Sequence, residues 1–172
     1  MDKRILVARI MVFAGFAAIA VGAFDPLEGV FLIAPGSATL ALAAFLGGTR
    51  HRRVAYASVA LIAAAFVLIL GMSGLGGFGG NVPLLRSNWW GLLMLPYPVG
   101  WIMGVAGGAL VLTSLFNGWW ARIVAGGGVL VAAVLLGRIA SFRLVPLWLA
   151  GLVVVLGIVA TTLVYRSEKP PS

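Results

Sequence analysis

Apolar residues run through this chain in six long blocks, and the polar residues fall mostly between them. The blocks cover residues 5–24, 29–48, 54–72, 99–116, 119–137 and 144–165. Each is 18 to 22 residues long, which as helix spans about 27–33 Å and matches a hydrocarbon core about 30 Å thick. The pattern predicts an all-α polytopic membrane bundle in a single domain, with six transmembrane helices. Five is the alternative, should the fifth and sixth blocks not both cross.

Glycine and proline set the expected detail. Gly100, Gly104 and Gly108 recur every four residues. In a helix they share a face that lets a neighbouring backbone come close, as in a glycine zipper. Residues 99–116 therefore read as the central packing helix. Gly126, Gly127 and Gly128 form a second expected site of close backbone approach. Pro35 should kink the second span, because it removes a backbone donor and crowds the carbonyl of Phe31. Asp25-Pro26-Leu27-Glu28 reads as a helix start, with Asp25 as cap and Glu28 reaching back. A cation or proton site on the outer surface is the competing reading of that pair. Val21-Gly22-Ala23 would make a passable signal-peptide cleavage site; residues 5–24 are read instead as a retained anchor.

Residues 73–98 form the longest non-spanning stretch and open on GLGGFGG, which has little conformational preference. Ser87 or Asn88 could cap a short interfacial helix from Trp89. Trp89 and Trp90, with Tyr97 and Trp101, fit an aromatic belt at the outer interface. One long tilted helix over residues 89–116, bent at Pro96 and Pro98, is the alternative. Trp119 and Trp120 are expected at the inner interface.

Composition agrees with a lipid environment. Of 172 residues, 62% are hydrophobic and only 9% charged, with a mean hydropathy of +1.13; soluble domains average about 25% charged. The net charge of +8 would in another chain suggest nucleic acid, but here the cations sit at the ends of apolar blocks. No nucleic-acid partner is expected. Six spans place Lys3, Arg4, Arg9, Arg50, Arg52, Arg53, Arg122, Arg166 and Lys169 on one side and Arg86, Arg138 and Arg143 on the other. Nine against three puts both termini in the cytoplasm by the positive-inside rule. Arg50, Arg52, Arg53, Arg86, Arg138 and Arg143 are candidate contacts to lipid phosphates or a partner subunit, as are Trp89, Trp90, Trp119 and Trp120. Ten arginines against two lysines, with abundant Gly and Ala, suggest a GC-rich bacterial genome and the inner membrane.

Reactive chemistry is sparse. There is no cysteine, which removes disulfides, thiolate metal sites and Cys nucleophiles. The lone histidine, His51, reads as a solvated loop residue with no second ligand beside it. Arg9 is the one ionisable group well inside a span, where it can snorkel outward. Ser37, Thr39, Ser58, Thr113, Ser114, Thr161 and Thr162 are expected to bond to their own helices' carbonyls. GLGGFGG lacks the Lys-Ser or Lys-Thr of a phosphate loop.

These features predict a non-enzymatic protein without metal or cofactor of its own. The expected role is a structural or accessory subunit of a larger membrane complex, of the electron-transfer or photosynthetic kind. Such a chain could only line a lipid, quinone or pigment site at an interface. Its expected partners are membrane lipids and other membrane subunits, with homo-oligomers left open. A small channel or carrier for a neutral or apolar solute is the alternative, on the strength of helices broken at Pro35 and Pro96–Pro98.

Overall fold

The structure, a computed structural model, describes residues 2–22, 29–74, 95–116, 118–141 and 147–167. These form six α-helices and, among the described residues, no strand: α1 (Lys3–Gly22), α2 (Val30–Leu46), α3 (Arg52–Gly74), α4 (Pro96–Leu115), α5 (Trp119–Ser141) and α6 (Leu147–Ser167). By length and composition α1, α3 and α4 can each cross a membrane, while the apolar stretches Val30–Leu46, Trp119–Leu135 and Gly151–Ser167 are shorter.

Local chemistry sets several boundaries. α2 runs unbroken through Pro35, with Thr39 donating to the Pro35 carbonyl at 2.8 Å and Ser37 to that of Ala34 at 2.8 Å. It ends at Gly47 and Gly48, whose φ of +59° is a left-handed turn that glycine adopts without strain. α4 opens on Pro96, where a missing N–H costs nothing, and ends at Phe116, which turns extended.

α1 packs along α2, and α3 along α4, each pair antiparallel. The α1–α2 seam is built on two glycine pairs. A Cβ on Gly15 would stand 2.7 Å from the Gly36 carbonyl oxygen, and one on Gly22 would stand 2.9 Å from that of Gly29. The α3–α4 seam uses Gly100, Gly104 and Gly107, where Cβ atoms would meet Ile62, Ser58 and Val54 in turn. Gly108 turns away, toward Phe16 of α1 and Leu40 of α2. The spacing of four thus splits: 100, 104 and 107 follow α3, and 108 drifts round to another neighbour, because a straight helix has 3.6 residues per turn.

α4 touches every other described helix. Around it lie the fully buried Ile19, Ile33, Leu40 and Ile62, and its own Met103 and Leu112 are fully buried among them. α5 and α6 rest chiefly against α4 and barely on each other. The close approach expected along Gly126–Gly128 narrows to one residue. Nothing stands within 4 Å of a Cβ on Gly126 or Gly127, whereas one on Gly128 would run into the Phe16 ring. α5 meets the bundle on the Gly128 side only, so its neighbouring glycines face outward.

Gly15→Ala should therefore cost about 1–3 kcal/mol, since backbone atoms rather than a flexible side chain must move. Gly126→Ala should be neutral or stabilising by about 0.5–1 kcal/mol. Thermal unfolding in detergent, followed by circular dichroism, compares the two. Equal melting of Gly15→Ala and wild type would refute the α1–α2 contact.

Candidate functional site

Polar groups within the bundle are tied down by the backbone. Six of the seven span hydroxyls donate to a carbonyl of their own helix, as Thr113 does to Ala109 and Leu110, and Thr161 to Gly157. Ser58 does not. Its Oγ crosses from α3 and donates to the Gly100 carbonyl of α4 at 2.7 Å, fully buried. A Cβ on Gly104 would stand 2.8 Å from that oxygen, so the glycine makes the room the hydroxyl needs. The proton of Ser58 is committed to a carbonyl, an arrangement suited to joining helices and not to nucleophilic attack.

Trp101 makes the companion contact. Its indole Nε1 donates to the Ile19 carbonyl of α1 at 3.2 Å, and the side chain is only 5% exposed. This corrects the reading of Trp101 as part of an interfacial belt: its N–H found a partner inside the bundle, where the ring fills the α1–α4 gap.

The second concentration of polar chemistry lies at one end of the bundle. Arg9 of α1 donates through Nε to the Leu115 carbonyl at 3.1 Å and lies 4.9 Å over the Phe116 ring. A cation there meets the negative end of the α4 dipole. Arg9 is therefore held by the protein and does not simply snorkel to lipid. Phe116 packs edge-on to Phe13 and Trp120, and Trp120 stacks on Phe13 with centroids 5.8 Å apart. At the same end Arg53 donates to the Ser167 carbonyl of α6 at 2.8 Å, so α1 begins and α6 ends on one side.

His51 is buried there, at 4% exposure, and not solvated as its loop position suggested. Its ring stacks on Tyr165 of α6, 5.3 Å centroid to centroid, and its Nε2 accepts from Arg50 Nε at 2.9 Å. An accepting Nε2 requires the neutral ring.

Eight cations thus share this end: Lys3, Arg4, Arg9, Arg50, Arg52, Arg53, Arg122 and Arg166. The one carboxylate side chain among the described residues, Asp2, accepts from the Arg4 backbone N–H. Between the end of α4 and the start of α5 lies an open cavity of about 410 Å³, lined by Thr113, Phe116, Gly118, Trp119 and Arg122. Arg50, Arg52, Arg53, Trp119 and Trp120 all fall at this end. Asp25, Glu28, Arg86, Trp89, Trp90 and Arg143 lie outside the described residues, as does the side chain of Arg138. No protein-family profile, curated protein or solved structure matches the chain. Among the described residues no group of three His, Cys, Asp or Glu side chains could hold a metal ion.

Sequence reasoning missed the roles of Gly15, Gly22, Gly29 and Gly36, although the two pairs repeat the same seven-residue spacing on facing helices. It also missed the interhelical use of Ser58, for which no one-dimensional signal exists beyond its opposition to a glycine helix.

Trp101→Phe keeps one six-membered aromatic ring and removes the pyrrole with its N–H. Loss of the hydrogen bond alone should cost about 0.6–1.7 kcal/mol, and the smaller ring adds a packing loss, both read as a lowered melting temperature in detergent. Arg53→Ala should speed amide hydrogen exchange over residues 160–167 while leaving α1 and α2 unchanged. Uniform exchange across all helices in that variant would deny the tie between α3 and α6.

Proposed function

We propose that the chain is a non-catalytic, membrane-embedded subunit of a larger membrane protein complex, with six spans and both termini on the cytoplasmic side of a bacterial inner membrane. The observation that carries this reading is the contrast between α4 and its two last neighbours. α4 touches every other described helix and is 56% buried along its apolar window, whereas α5 and α6 present long apolar faces, with Ile123 at 60% and Leu130 at 65% exposure, and touch little besides α4. Lipid or another hydrophobic chain must cover such faces. The nine-to-three distribution of cations and their gathering at one end support the orientation.

The internal polar contacts support a role without chemistry. Each of the seven serine and threonine hydroxyls named above is spent on a carbonyl, and such bonds rigidify a bundle and do not open a path. The carrier reading rested on helices broken by proline. α2 is continuous through Pro35, and α4 begins at Pro96, so the subunit reading is preferred. Quinone or pigment would meet the chain only along its outer faces, with no ligand residue of its own.

A photo-crosslinking residue at Leu130 or Leu163, followed by mild-detergent purification and mass spectrometry, tests the assignment. The expected result is one recurrent set of companion membrane chains attached at these positions and absent when the probe replaces buried Leu112. Recovery of the lone polypeptide from all three variants would overturn it.

A further inference from the structure

The cavity at the α4–α5 corner has the chemistry of a phospholipid headgroup site. Thr113, Phe116, Gly118, Trp119 and Arg122 line it, so a hydroxyl, two aromatic residues and one cationic residue meet there. Trp119, Arg122, Ile123, Gly126 and Leu130 recur at helical spacing on one face of α5. That face runs from the cavity toward the middle of the bundle. Trp119 and Ile123 are exposed on it, as is Leu130, and between them Gly126 and Gly127 leave open space where a side chain would stand. The face is therefore an apolar track with a shallow floor, and it starts at a cation.

Charge favours an anion in the cavity. It sits at the end that carries eight described cations and one described carboxylate, Asp2, whose Oδ1 already accepts a backbone N–H. The first turn of α5 adds the positive end of its helix dipole. Thr113 donates its proton within α4, to Ala109 and Leu110, so its oxygen remains an acceptor for a headgroup hydroxyl.

We propose that this corner binds one anionic phospholipid with a hydroxyl-bearing headgroup. The phosphodiester lies on Arg122, the headgroup between Phe116 and Trp119 beside Thr113, and one acyl chain along the glycine-floored track of α5. A phosphate alone would satisfy Arg122 but leave the track empty. A zwitterionic lipid would bring a second cation into an already positive end. The proposal rests on the membrane-embedded reading but not on the existence of companion chains.

The test is native mass spectrometry of the delipidated full chain in detergent, titrated with phosphatidylglycerol, phosphatidylcholine or inorganic phosphate. One phosphatidylglycerol should bind ahead of the rest, about tenfold more tightly than phosphatidylcholine, and inorganic phosphate should not displace it. Arg122→Gln should weaken that first site about tenfold. Gly126→Leu, which fills the track, should weaken it with Arg122 intact, and Arg166→Gln at the same end should leave it unchanged. Equal binding of the two lipids, displacement by inorganic phosphate, or an unaltered first site in Arg122→Gln would each overturn the proposal. A chain that stays dispersed without detergent would instead refute the membrane-embedded reading itself, and the two failures are distinguishable.

Discussion

Close contact between helix backbones is the constraint on which this bundle depends. On the membrane-embedded reading proposed above, helices gain nothing from hiding apolar side chains, because lipid is as apolar as leucine. What remains is dispersion, worth about 0.1–0.2 kcal/mol per atom pair and lost within a fraction of an ångström. Glycine brings the backbones into that range. At the α3–α4 seam the approach is near enough for Ser58 to reach the Gly100 carbonyl, and at the α1–α2 seam Gly15 and Gly36 lie backbone to backbone. α4 belongs to the first seam and, through Gly108 and Trp101, closes on the second helix pair as well. The two pairs are thereby one body.

Hydrogen bonds across the seams add direction to that contact. Dispersion alone tolerates a helix sliding or rotating, whereas a hydroxyl at 2.7 Å and an indole at 3.2 Å fix register and rotation together. Ser58 could also have bonded within its own helix, as its six counterparts do. The Trp101 N–H, once buried, had to find an acceptor, and Ile19 supplies it without breaking α1. At the basic end the same logic operates with charge. Arg9 meets the end of α4, and Arg53 meets the end of α6. Each cation finds a helix terminus whose carbonyls are otherwise unsatisfied.

Much of the helix layout was legible in the sequence, because the order of apolar blocks reflects how often the chain can turn. The blocks at 54–72 and 99–116 became α3 and α4 with boundaries moved by a few residues, as capping by Pro96 and the loop after Gly48 dictated. The central position of α4 was readable from its glycines. Which neighbour each glycine meets was not, since Gly107 and Gly108 differ by 100° on the helix and only the packed bundle decides between them. α2 runs as one helix from Val30 to Leu46 with Pro35 inside it. His51 and Trp101 misled for a shared reason: both looked like boundary residues in one dimension, and both were covered by a helix distant in sequence. For His51 that is α6; for Trp101 it is α1, 82 positions away.

The two glycine pairs of α1 and α2 bear on the order of assembly. Every residue they need lies within the first 40 of the chain, so this hairpin can close while everything after it is still being made. α4 arrives later and must insert its glycine surface between partners already in place. Its contacts with α1 span 82 and 106 positions and carry a larger entropic cost of closure than the hairpin's own. Early local pairing followed by a later wedge gives the nascent bundle a defined sequence of steps, with α5 and α6 laid against α4 after it.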